Sequence, residues 1–162
     1  MFLSRFFDSF NAAVQEQAMT ELLAMNEKTS KYGVVLSAED VKSMMEARSR
    51  ALYAYGRVEL SIEATKALIE EFSSSSFIHL ENYAETLNEL HEIFYDLKNE
   101  TEDRIGDLAL LHKLKEAFEE ECEGSLDLLK GRIEEYAEAF RRELQKTESL
   151  REGEGDDWNP KI

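Results

Sequence analysis

The chain has 162 residues, with 35 Asp plus Glu against 19 Lys plus Arg, a formal charge of -16. A field of that sign repels phosphate backbones and anionic lipid, which sets aside nucleic-acid and membrane-surface roles. The single cysteine, Cys122, excludes an internal disulfide and a thiolate-rich zinc site and points to a reducing compartment, so the expected location is cytoplasmic.

Phe7, Phe10, Val14, Ala18, Leu22 and Met25 recur at helical spacing and predict a first amphipathic helix, whose apolar face Phe2, Leu3 and Phe6 extend. Arg5 and Asp8 interrupt this aromatic start, which therefore reads neither as an export signal nor as a membrane span. Core packing is expected of it, with a dimer contact as the alternative. Gly33 is the expected left-handed stop, and Val34, Val35 and Leu36 form an apolar linker tucked against the core. Ser37 with Glu39 and Asp40 reads as an N-cap and acidic first turn. Val41, Met44, Met45, Leu52 and Tyr55 mark the second helix, which Gly56 closes or kinks. The spacing predicts a third helix through Val58, Ile62, Thr65, Ile69 and Phe72, ending in the serine run 73–76, where the hydroxyls compete with helical hydrogen bonds.

The best amphipathic pattern follows. Tyr83, Leu87, Leu90, Phe94 and Leu97 alternate steps of four and three, with Ile93 and His91 widening the face, as expected of the central helix of a bundle. Leu108, Leu111, Leu114 and Phe118 predict a fifth helix ending near Cys122 and Gly124. Ser125 caps a sixth, with Leu126, Leu129, Ile133, Tyr136, Ala137, Phe140 and Leu144 on its face. Residues 151–162 are Gly- and acid-rich and read as a disordered tail carrying Trp158. The expected architecture is thus all-α: a single-domain bundle over residues 1–150, with about six helices whose sequence neighbours pack antiparallel, followed by that tail.

Three constellations that would carry chemistry fail on spacing. A carboxylate-bridged metal centre needs Glu-x-x-His on two helices, but Ser76, Asn88 and Ala109 precede His79, His91 and His112 at that offset. No metal and no cofactor is expected. Cys122 follows Glu119, Glu120 and Glu121 at a helix C-terminus, where dipole and carboxylates oppose a thiolate. The seven glycines lie scattered at helix ends and form no phosphate-cradling loop.

One residue breaks the pattern. Arg48 falls in the apolar series of the second helix, between Met45 and Leu52. Its head group either snorkels to the rim, pairs with Glu59 or Glu71, or stays free to hold an anion with its planar fork. His91, Tyr95 and Lys98 lie on the central helix at spacings that would place them near such a site.

The segments Gly56-Arg57-Val58-Glu59, Phe94-Tyr95-Asp96-Leu97-Lys98-Asn99-Glu100 and Cys122-Glu123-Gly124-Ser125 resemble a family of small bacterial proteins known as a domain of unknown function, mainly from anaerobic Gram-positive bacteria. The resemblance covers roughly residues 33–131. It implies a bacterial cytoplasmic protein and supplies no activity. The leading expectation is a non-enzymatic protein-interaction or regulatory module, with a protein partner or a second copy as its target. The alternative is a bundle that binds a small anionic ligand through Arg48, His91, Tyr95 and Lys98. A weaker third is an enzyme of unrecognised class built from the same residues.

Overall fold

Every member of the stripe Tyr83, Leu87, Leu90, Phe94 and Leu97 is buried, because the helix that carries it runs through the middle of the fold. The computed structural model describes residues 2–156, with side chains over 12–151. Its elements are α1 (Phe2–Ala24), α2 (Asn26–Thr29), α3 (Ala38–Ala54), α4 (Glu63–Phe72), α5 (Tyr83–Glu100), α6 (Asp107–Glu116), α7 (Leu126–Gly131) and α8 (Ile133–Asp156). Single 3-10 turns lie at Ser30–Tyr32 and Leu80–Asn82, and a π turn at Ala117–Glu121 extends α6. The described residues contain no strand, and none of their helices is long and apolar enough to cross a membrane.

Helix α5 packs against α3, α4, α6, α7 and α8, so one contiguous core joins the whole body. The most extensive contacts, α3 with α5 and α4 with α6, join helices next but one in the chain, while the consecutive pairs α4–α5 and α5–α6 also touch. Gly33 stops the first helical stretch at φ 81°. The side chain of Asn26 then grips the linker from both sides, donating to the Leu36 carbonyl at 2.9 Å and accepting from the Leu36 N–H at 2.8 Å. Val34 and Leu36 are thereby buried, and Val35 faces out. Helix α3 opens with a reciprocal capping box: Asp40 N–H donates to Ser37 Oγ at 3.1 Å and Ser37 N–H donates to Asp40 Oδ2 at 3.0 Å.

The pattern and the structure differ at three places. The third helix begins at Glu63, and residues 57–62 are non-helical, so Val58 heads no stripe. Ser61 Oγ accepts the Glu63 N–H at 3.1 Å, a local serine turn just ahead of the helix that competes with helical bonding. Leu108 is exposed although it shares the spacing of the fifth helix. Two successive steps of three from Leu108 to Leu114 turn the face by about 120°, so Leu110 takes the core position instead. The sixth segment breaks at Arg132, with φ −116° and ψ 11°, into α7 and α8. Gly131 at the break is a poor helix former, and Leu129, Tyr136, Ala137 and Phe140 stay buried on either side of it.

Along α1, burial begins at Ala18, and Val14, the preceding member of the stripe, is 43 % exposed. The side chains of Phe2, Phe6, Phe7 and Phe10 lie outside the described residues. At the other end, α8 continues to Asp156, past Arg151, and the rest of the expected tail, with Trp158, lies outside the described residues.

Candidate functional site

Residues 57–62 cross from the end of α3 to the start of α4 with inverted polarity. Arg57 and Glu59 turn inward, whereas Val58 and Leu60 are 87 % and 88 % exposed. Alternating side-chain direction puts the two polar residues on one side of an extended stretch and the two apolar residues on the other. Helices α3 and α5 and the loop before α6 supply the groups that hold the polar side in.

From α3, Arg48 reaches the segment's main chain: Nη2 donates to the carbonyl oxygens of Glu59 at 2.7 Å and Ser61 at 3.1 Å. Arg48 is 7 % exposed, and Nε has no hydrogen-bond partner among the described residues. The guanidinium therefore neither snorkels nor pairs with a carboxylate; Glu71 contacts His112 instead, at 3.4 Å. From α5, Tyr95 donates its hydroxyl to Glu59 Oε2 at 2.5 Å and Lys98 Nζ donates to Glu59 Oε1 at 2.7 Å. Lys98 also meets Asp107, in the first turn of α6, at 3.1 Å. Arg57 donates to Asp103 in the loop before α6 at 2.7 Å.

Burial opposes the Glu59 carboxylate, but the hydrogen bonds from Lys98 and Tyr95 and the charges of Lys98 and Arg48 outweigh it and hold its pKa below the ordinary value. Burial likewise opposes the Lys98 ammonium, and Glu59 and Asp107 together raise its pKa above the ordinary value. The Tyr95 phenol is pushed up, first by burial and then by its bond to Glu59. Carboxylate, ammonium and phenol thus hold one another in their ordinary protonation states at neutral pH.

His91, one turn before Tyr95 on α5, is fully buried. Its Nε2 lies 3.0 Å from Thr65 Oγ1 on α4, and Nδ1 has no partner among the described residues. Burial, with the Arg48 charge second, pushes its pKa down to about 3. It is a neutral core residue.

Of the four residues singled out from the pattern, Arg48, Tyr95 and Lys98 converge on Glu59, which the pattern offered only as a partner for Arg48, and His91 turns instead to Thr65. Nor do they share one pocket. A cleft of about 480 Å³ opens between α1, α3 and residues 59–63, and Arg48 and Glu59 line it with Val14, Glu21, Met45 and Leu60. His91, Tyr95 and Lys98 do not line it. Elsewhere, Cys122 is buried after the π turn, with Sγ 3.3 Å from the Tyr136 hydroxyl. Among the described residues no group of three or more His, Cys, Asp or Glu is placed to hold a metal ion.

A helical bundle with a non-helical crossing fastened by polar groups from α3 and α5 is the class that fold and site define. The chain belongs to a family of unknown function, DUF6323, whose model matches residues 21–146 and so spans the core from the buried part of α1 into α8. A search of curated proteins and a search of solved structures each gave no match.

Proposed function

We propose that the chain is a non-enzymatic docking module whose contact is the outward row Val58 and Leu60. The observation that carries this reading is the inverted polarity of residues 57–62: Arg48, Tyr95 and Lys98 hold the polar side in while two large apolar side chains stand 87 % and 88 % exposed. An apolar row held in one position is preorganised for a contact, because little freedom remains to be lost on binding. The mutual satisfaction of Glu59, Lys98 and Tyr95 favours the same conclusion, since a group engaged on both sides is not poised as base or nucleophile. The alternative, a small anion held between Arg48 and His91, draws less support, because His91 is sealed against Thr65.

The partner is a protein, a second copy of the chain included. A photo-reactive amino acid in place of Val58, with one in place of the exposed Glu138 as control, tests the reading in cells. A discrete adduct from position 58, absent from 138 and lost with Leu60→Asp, is the expected result, and mass spectrometry of the adduct tells a second copy from another protein. No discrete adduct from position 58 would overturn it.

A further inference from the structure

We infer that the docking row takes an extended, Lys- or Arg-bearing segment of another protein, which pairs with residues 58–61 as an added strand. The inference rests on the docking reading and supplies the chemistry of its partner. Its grounds are the state of the main chain along the row and the charge around it. The Arg57 N–H donates to the Leu52 carbonyl at 2.8 Å, and the Ile62 carbonyl accepts from the Lys66 N–H at 3.0 Å. Between these two bonds the main chain makes no backbone–backbone bond among the described residues. Arg48 takes the carbonyls of Glu59 and Ser61. The N–H groups of Val58, Glu59, Leu60 and Ser61 and the carbonyls of Val58 and Leu60 have no partner among the described residues. No proline or glycine interrupts 57–62. In an extended chain successive residues direct their main-chain groups to opposite edges, so Arg48 takes one edge and Val58 and Leu60 present theirs on the other. Such an edge is a template for an incoming strand. A helix cannot answer it, because its N–H and C=O groups are spent internally. An extended segment can, and its alternate side chains cover the apolar row at the same time.

The charge around the segment selects among extended partners. Arg57 is paired with Asp103 and Lys66 with Glu63, while Lys98 is shared between Glu59 and Asp107. Glu102, next to Asp103, is exposed and has no ion pair among the described residues. The surplus is negative, on a chain of formal charge -16. A second copy meets this surface with like charge, whereas a segment bearing Lys or Arg meets it with opposite charge.

Selection of phage-displayed random dodecapeptides on the purified full chain tests the inference, with Leu60→Asp as the counter-selection. Binders lost with Leu60→Asp should carry Lys or Arg alternating with apolar residues. In the best binder, synthesised and titrated by calorimetry, N-methylation of single main-chain nitrogens should weaken affinity by roughly tenfold, the scale of one hydrogen bond, at every second position. Glu102→Lys should keep the wild-type melting temperature and weaken the same peptide severalfold. Acidic or helix-forming binders would overturn the inference, as would N-methylation effects without a period of two or an unaffected Glu102→Lys. A selection that yields no Leu60-dependent binder would overturn it too. In that event a cross-link from position 58 in cells leaves the docking reading standing, and its absence removes that reading as well.

Discussion

His91 makes folding depend on pH in a window that the carboxylates largely leave clear. Its ordinary pKa is 6.5 and burial lowers it to about 3 in the native state, so the unfolded chain takes up the proton first as pH falls. A histidine lowered in this way contributes its full stability above 6.5 and loses it progressively below. Linkage between those two values gives a loss of about 2 kcal/mol from about pH 7.5 to about pH 5. The chain's other groups also respond: the high negative charge is partly relieved on acidification, which acts in the opposite sense. The useful quantity is therefore a difference. Urea unfolding of the wild type and of His91→Gln at the two pH values cancels His79, His112 and the carboxylates, which both proteins share. The wild type's advantage over the variant should shrink by about 2 kcal/mol at the lower pH. A constant advantage would refute the reasoning, as would an NMR titration of the His91 ring with its midpoint near the ordinary value.

Glu59→Gln removes the charge that Lys98 and Tyr95 share, and charge-assisted bonds of this kind are worth about 2 kcal/mol. Lys98 keeps Asp107, so a melting temperature lower by about 4 to 8 °C is expected for a chain of this size; an unchanged value in calorimetry contradicts the geometry. Because the Glu59 pKa is lowered, its contribution is present above the ordinary value of 4.5 and fades as pH falls through the native pKa, so the gap between wild type and Glu59→Gln should close in acid. Gly124→Ala and Gly56→Ala both place a side chain at positive φ, but a Cβ at 124 would lie 2.7 Å from Phe77 whereas nothing lies within 4 Å at 56. Denaturant titration should show Gly56→Ala near the strain cost alone, about 1 kcal/mol, and Gly124→Ala distinctly worse; equal losses would show that Phe77 moves aside freely.

The helices were legible where an apolar stripe leaves only one rotation that buries it. That holds for α5 above all, and for α3, where even the anomaly of Arg48 could be read. The errors sit where one residue shifts the phase. Val58 keeps the helical spacing of Ile62, Thr65 and Ile69, and periodicity alone cannot show that the chain turns locally at Ser61 and leaves Val58 outside the helix. The break at Arg132 hides in the same way, because the stripe resumes after it in a phase that still faces the core. Of the site, the pattern yielded Arg48, His91, Tyr95 and Lys98 as residues on inward faces. It missed Glu59 as the meeting point of Arg48, Tyr95 and Lys98, because Glu59 lies on a non-helical segment whose direction depends on the groups that grip it. The alternation Arg57, Val58, Glu59, Leu60 was the available signal, since it is a period of two inside an otherwise helical sequence.

That alternation also explains why the segment stays inverted. A slip by one residue would exchange the two faces, burying Val58 and Leu60 and exposing Arg57 and Glu59. On apolar area alone the exchange would be favourable by roughly 1.5 to 3 kcal/mol for each side chain covered. Opposing it are the contacts on the polar side: Arg57 to Asp103, Glu59 to Tyr95 and Lys98, and two main-chain carbonyls to Arg48. In the slipped arrangement Tyr95 and Lys98 would lose their acceptor, and Arg48 would lose the two carbonyls it now engages. Stranding a buried cation of that kind costs about 3 to 5 kcal/mol, which roughly matches the gain from the two side chains, and the lost acceptor of Tyr95 and Lys98 tips the balance toward the outward row. Arg48, Tyr95 and Lys98, three of the four residues that the sequence marks as candidate ligand-binding groups, are, in the fold, what fixes the direction of Val58 and Leu60. A single anomaly in the sequence, an arginine in a core stripe, therefore leads to the segment 57–62, whose main chain its Nη2 grips at the Glu59 and Ser61 carbonyls.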